Sequence, residues 1–326
     1  MKMMRILQGL TDIAGQAGLL AKALRALGHT SESWVFGQHP FGYSNDRVII
    51  QNSNSSAWTN RIRLSSLTLE ALLRFDIWHL HRGTSFFSKN RDLAIAKALG
   101  KKIVFHYRGR EVRPMIGMKE LDATTRARLE EQLKYADLVL VHDGELANLI
   151  KCIWPSPIVF PNIVDISNNT ILSNFNNKKL HIVHIPSNPT IKGTEFIREA
   201  VKALSDDVDY TELTGIPHDE VIKHYSNADL VIDQLLIGTY GNASLEAMAL
   251  GKPVMCYLNE DLDQYHPHDL PIIRVSVHTL ISELKKAVNN REWLREVGEK
   301  GLQYILNNHT PKTVAEKAIS YYMAII

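Results

Sequence analysis

The chain has 326 residues, 45% apolar and 22% charged, with 18 glycines and 12 prolines dispersed along it. That length calls for two domains, and the composition excludes a disordered, collagen-like or low-complexity chain. The formal charge of +2 hides a basic half, +7 over residues 1–170, and an acidic half, −5 over residues 171–326, so one half faces an anion (a nucleic acid, an anionic lipid surface, a phosphorylated substrate) or the halves attract each other. No run of about 18 apolar residues exists to span a bilayer. The opening MKMMRILQGLTDIAGQAG turns polar and Gly-rich too early for a signal peptide, and Cys152 and Cys256 supply neither a disulfide framework nor a metal-type pair, so a cytoplasmic protein is expected.

In chain order, short apolar runs rich in β-branched and aromatic residues predict strands at 5–8, 33–37, 47–51, 76–81, 102–107, 137–142 and 157–160. Helical spacing lies between them, as in Leu19, Leu20, Ala23, Leu24 and Leu27 before Gly28, and at about 119–135 with Leu121, Leu129 and Leu133 inward. The second half repeats the pattern. Strands are predicted at 180–185, 209–214, 229–233, 253–258 and 272–276, and helices at about 193–204, 218–227, 242–250, 278–289, 291–307 and 312–324. Strands alternating with helices imply parallel sheets covered on both faces. The Asn-rich stretch 166–179 predicts the linker between two doubly wound domains.

Several segments carry chemistry. Gly9, Gly15 and Gly18 surround the first strand–helix turn, where backbone N–H groups approach phosphate or sugar oxygens; the spacing fits neither GxGxxG nor a P-loop, and a purely structural loop stays open. The segment GTYGNASLEAMALGKPV at 238–254 is a loop, a helix and a strand entry. Glu246 in that helix either accepts two vicinal hydroxyls, as a ribose offers, or is an ordinary acid near a helix start. Asp233 and Gln234 end an apolar run and are either a ligand-facing pair or solvated strand-end residues. His106, Arg108, Arg110, Glu111 and Arg113 follow a strand, where Arg108 and Arg113 suit a phosphate or carboxylate or else form a salt-bridge cluster with Glu111. Asp207-Val-Asp209 spells DxD, and reads more simply as a solvated turn; no other segment has metal-ligand spacing.

The segment 238–254 resembles the signature of the retaining GT-B glycosyltransferases of family 4, EGFG…EAMA.G.PV. Three further segments resemble that family in the same order: HYRGREVR at 106–113, PNIVD at 161–165 and IPSNPTIKGTEF at 185–196, with HYSNADLVI and the last helix also placed as in the family. The resemblance covers essentially the whole chain. It implies an α/β fold of two Rossmann-like domains facing a cleft: an acceptor-binding domain over 1–168, a nucleotide-sugar domain over 169–310, and a helix over 311–326 packing back on the first. It implies a retaining, metal-independent hexosyl- or N-acetylhexosaminyltransferase, with no cofactor beyond a UDP- or GDP-linked sugar. The acceptor would be a glycan or lipid-linked glycan of the cell envelope, with peripheral contact at the inner membrane face and no nucleic acid partner. A non-catalytic binding subunit and a nucleotide-sugar epimerase are the alternatives.

Carried over by residue, Glu246 would bind the ribose, Lys192 the diphosphate and His106 the transferred sugar. Gly15, Ser187, Asn188, Tyr240, Gly241, Asn242 and Ala243 would line the nucleotide. Two positions depart from the pattern: the sugar-contacting Glu falls at Gly238, and the Arg that accompanies the phosphate Lys falls near Ser187. Asp233 with Gln234 either substitutes for the missing sugar contact or is a solvated strand end.

Overall fold

The computed structural model describes residues 3–37, 42–49, 57–113, 115, 118–165 and 178–326. The chain divides into two compact units, residues 1–163 with 311–326, and residues 164–310. Residues 166–177 of the predicted linker lie outside the described residues.

The first unit holds β1 (Arg5–Leu10), α1 (Gln16–Ala26), β2 (Thr30–Phe36), β3 (Arg47–Ile49), α2 (Ala57–Arg74), β4 (Ile77–His81), α3 (Arg91–Ala98), β5 (Lys102–Tyr107), α4 (Ala123–Leu133), β6 (Leu138–Val141), α5 (Gly144–Ile150) and β7 (Ile158–Val159). The second holds β8 (Leu180–His184), α6 (Pro189–Lys192), α7 (Thr194–Lys202), β9 (Val208–Glu212), α8 (His218–Asn227), β10 (Leu230–Ile232), α9 (Asn242–Ala249), β11 (Val254–Cys256), β12 (Ile273–Arg274), α10 (Leu280–Asn289) and α11 (Arg291–Asn308). The last helix, α12 (Pro311–Met323), belongs to the first unit. Every predicted strand has its counterpart among the described residues. The helix predicted at 119–135 starts later, because Asp122 takes an extended conformation and its carboxylate caps the Thr125 N–H, which stops the turn from extending backwards.

All strand pairs are parallel. The first sheet runs β3-β2-β1-β4-β5-β6-β7 and the second β12-β11-β10-β8-β9. Each order reverses once, between β1 and β4 and between β8 and β10. Loops leaving the carboxyl ends of the strands flanking such a point diverge to opposite faces and open a crevice for a ligand.

The cores follow from period 2 on the strands and 3.6 on the helices. In the first unit Ile6, Ile77, Val104 and Leu140 meet Leu20 and Leu24 of α1 and Val314, Ala318 and Tyr322 of α12. In the second, Ile197, Leu280 and Leu284 cover one face of the sheet, and Tyr225, Leu245, Met248 and Tyr304 the other. Among the described residues no helix is long and apolar enough to cross a membrane.

Candidate functional site

At the reversal of the second sheet, β8 leads into the turn 185–193 and β10 into the loop 233–241. Asn188 caps the short α6 by accepting from the Ile191 N–H. Gly193, at φ +74°, ends α6 and starts α7, and its missing Cβ would lie 3.2 Å from that of Leu235. The Leu235 N–H donates to the Lys192 carbonyl at 3.0 Å. These backbone contacts fix the base of the Lys192 side chain against the second loop.

The ammonium of Lys192 then reaches Asp233 Oδ1 at 2.6 Å. The other carboxylate oxygen, Oδ2, accepts from the Gly241 N–H at 3.1 Å and the Ser244 hydroxyl at 2.6 Å. Burial pushes the Asp233 carboxyl up, but Lys192, Ser244 and the Gly241 N–H outweigh it and hold the group below the ordinary carboxylate value. Asp233 is therefore buried and ionised, not a solvated strand-end acid. It pins the lysine beside the N-terminus of α9, where the helix dipole adds positive potential. Gln234, fully buried, receives the Leu236 and Ile237 N–H groups on Oε1 and donates from Nε2 to the carbonyls of Thr239 and Tyr257. It is the internal brace of the loop.

Glu246 lies on the same helix, five residues after Gly241, with Oε1 on His218 Nε2 at 3.0 Å. The bond to Glu246 raises the imidazole above its ordinary value in spite of burial. The pair joins α8 to α9 and sets the direction of the carboxylate. Tyr240 is hydrogen-bonded to Tyr304, Ser187 is exposed, and Asn242 and Ala243 are half-buried in the first turn of α9. Of the residues expected to hold a nucleotide, Lys192, Gly241, Asn242, Ala243 and Glu246 thus lie at or near the start of α9, while Asn188 caps α6.

Gly238 explains the departure from the resembling motif. Its φ is +80°, and a Cβ there would sit 2.9 Å from the Asn259 Cβ, so this backbone cannot carry a glutamate. We expect Gly238→Glu to destabilise the chain by about 3 kcal/mol, from left-handed strain plus overpacking, without improving nucleotide-sugar affinity. Urea unfolding with a donor titration checks this, and tighter donor binding by the variant would contradict it.

The remaining candidates lie in the first unit. Gly15, at φ +72°, precedes α1, and a Cβ on it would meet the Tyr43 ring at 2.7 Å. Asp12 Oδ1 already accepts the Ala17 N–H, so a carboxylate occupies part of this helix start. His106 is fully buried. Arg108 donates to Asn162 Oδ1 and, at 3.4 Å, faces His81 Nδ1. Arg113 is taken by Glu145 and, at 3.7 Å, by Asp143; its charge is balanced, and it does not join Arg108 in a fork. Glu111 instead accepts from the Arg108 and Gly109 N–H groups and from Arg82. Asp207 and Asp209 are exposed at the start of β9, at the opposite ends of the strands from Lys192.

Sequence reasoning singled out His106 but missed His218, and it missed Gln8 and Tyr322, which complete the buried group around His79, His81 and His106. The alternation of His79 and His81 in IWHLH, with His106 in the next strand, is the sequence signal for that group.

No family model and no curated protein matches the sequence. Solved structures do match the fold over the full chain. A glycosyltransferase from Rickettsia africae is 16% identical, with a TM-score of 0.69, covering 100% of this chain and 99% of that one. Anabaena HepE in complex with UDP and glucose is 12% identical at a TM-score of 0.66, over 98% and 100%. The UDP-GlcNAc 2-epimerase of Neisseria meningitidis bound to UDP-GlcNAc is 15% identical at 0.56, over 98% and 100%. The fold is GT-B, shared by glycosyltransferases and epimerases.

Proposed function

We propose that this chain is a metal-independent glycosyltransferase that moves a hexose or N-acetylhexosamine from a nucleotide sugar, with retention, to a glycan or lipid-linked acceptor. The observation that carries the reading is the placement of Lys192, held by Asp233, and Glu246 around the N-terminus of α9. A diphosphate needs a cation and convergent N–H donors; a ribose needs a carboxylate about one helical turn away. An ammonium has three donor protons, so Lys192 can keep Asp233 and still donate to the β-phosphate. The charge that develops on that phosphate as the glycosidic bond breaks is stabilised by Lys192 and the helix N-terminus. The leaving phosphate then takes the acceptor proton on the same face, which keeps the anomeric configuration and needs no side-chain base. HepE, of the same fold, is described with UDP, which favours uracil as the base.

Lys192→Ala is expected to weaken UDP binding about 10- to 100-fold, the worth of a charge-assisted hydrogen bond. A thermal-shift titration with nucleoside diphosphates reads the change, since a ligand raises apparent stability by mass action. Equal shifts in wild type and variant would sink the proposed site. Product analysis with UDP-sugars separates the remaining readings: transfer or hydrolysis supports a transferase, a 2-epimer product supports an epimerase, and binding without turnover supports a binding subunit.

A further inference from the structure

Four neighbouring strand residues of the first unit, Gln8 on β1, His79 and His81 on β4 and His106 on β5, are fully buried. Register pairs Gln8 with His79 and His81 with His106. The apolar residues Ile6, Ile77 and Val104, two positions earlier in each strand, lie on the face covered by α1 and α12, so the polar group continues that face toward the carboxyl ends of the strands. Tyr322 of α12 closes it from above.

Its hydrogen bonds admit one direction. A guanidinium only donates, so His81 Nδ1, 3.4 Å from Arg108 Nη2, is the accepting nitrogen of a neutral ring. His81 Nε2 therefore carries the proton and donates to Gln8 Oε1 at 3.1 Å. That orients the amide so that Gln8 Nε2 donates to the Tyr322 hydroxyl at 3.2 Å. The phenol proton is left to point at His79 Nδ1, 2.6 Å away. His79 in turn donates from Nε2 to His106 Nδ1 at 3.1 Å, and His106 must carry its own proton on Nε2. That atom is buried and has no partner among the described residues. The Phe160 ring, edge-on at 5.5 Å, holds the imidazole in place.

We propose that Gln8, His81, Tyr322 and His79 are positioning residues that lock His106 as a neutral imidazole presenting an Nε2–H donor to an oxygen of the bound substrate. The hydroxyl of Tyr322, contributed by the last helix, is the link that sets the polarity of the second half of the chain. The inference rests on the transferase reading for the identity of that oxygen, and on the geometry alone for the tautomer. The three imidazoles, each with one ring nitrogen within 4.8 Å of those of the other two, would also attract a metal ion by type. The direction just derived leaves neither His79 nor His106 Nε2 a free lone pair, and Arg108 adds a positive charge beside them.

Long-range 1H–15N correlation spectra of the full chain at pH 7 read the tautomers directly. The expected result is Nε2–H on His79, His81 and His106, all neutral. An Nδ1–H tautomer or an imidazolium at His106 would overturn the proposal, as would stoichiometric uptake of Zn2+ by the three rings. Tyr322→Phe removes the phenol proton and should leave His79 and His106 as mixtures of tautomers, with kcat/KM lowered about tenfold if turnover is present. Unchanged tautomers in that variant would also overturn the proposal. Should the variant fail to fold, the wild-type spectrum decides by itself. Absence of turnover on every nucleotide sugar removes the transferase reading and leaves the tautomer result standing; turnover with His106 in the opposite tautomer removes this proposal alone.

Discussion

Asp233→Ala is expected to cost about 3 kcal/mol of folding stability and to weaken nucleotide binding about 10- to 100-fold, as loss of Lys192 does. The carboxylate is nearly inaccessible, with 1% of its side chain exposed, and Lys192 retains 15%. Removing one partner of such a pair leaves an ammonium without its counterion and the Gly241 N–H and Ser244 hydroxyl without their acceptor, which is the costly way to break a buried ion pair. The functional loss has a separate cause. Without Asp233 the ammonium of Lys192 loses its partner at the start of α9 and the Gly241 N–H its acceptor, so the phosphate site loses the placement of its charge and the geometry of the 233–241 loop. Asp233→Asn keeps the volume and should retain more of the stability while still losing the anchor for Lys192. Urea unfolding and a UDP titration on the three proteins separate these effects. An alanine variant within 1 kcal/mol of wild type that binds UDP equally well would show that Asp233 is dispensable.

Acid should destabilise the first unit steeply. Burial, reinforced by Arg108, holds the His79 imidazole down to about 3 and those of His81 and His106 well below their ordinary value. The folded chain therefore keeps these rings neutral while the unfolded chain protonates them below about pH 6.5. The sign follows from proton binding: the unfolded state binds more protons in this window, so stability falls as pH falls. Three rings at about 1.4 kcal/mol per proton and pH unit give a loss of about 4 kcal/mol between pH 6 and pH 5. His142, also held low mainly by burial, acts in the same direction. His218, raised by Glu246, opposes it in the second unit. Urea midpoints measured from pH 8 to pH 5 check the slope. A flat profile over that range would mean that the three imidazoles exchange protons with solvent in the native state.

Both effects arise from groups whose partners are far away in the chain, and this marks the limit of what the residues reveal in order. The strands were legible because each is a short apolar run bounded by turn residues: KIVFHY and LHIVHI need no partner to be recognised. The helix at 242–249 was legible for a similar reason, since glycines precede it and Gly251-Lys252-Pro253 follows it. Lys192 and Glu246 stood out through a motif, and the motif reaches only as far as local spacing does. At Gly238 it marked a departure without its reason, and at Asp233 it left two readings open. Whether Asp233 was solvated or buried turned on a lysine 41 residues earlier. Whether a side chain fits at position 238 turned on Asn259, in a loop after a different strand.

By itself, then, the sequence determined the alternation of strands and helices, and with it two parallel sheets covered on both faces. That pattern depends on periodicity along the chain, which is a local property. The order of strands within each sheet is not, and it decided the rest. Placing β8 beside β10 brings the turn that carries Lys192 against the loop that begins with Asp233. Placing β1, β4 and β5 side by side under α12 lets Gln8 and His79 share the hydroxyl of Tyr322, which follows His79 by 243 residues, and joins His81 and His106 to them. Ion pairs and hydrogen bonds act over about 3 Å, so the chemistry of both groups of residues existed only once the tertiary structure had closed those distances.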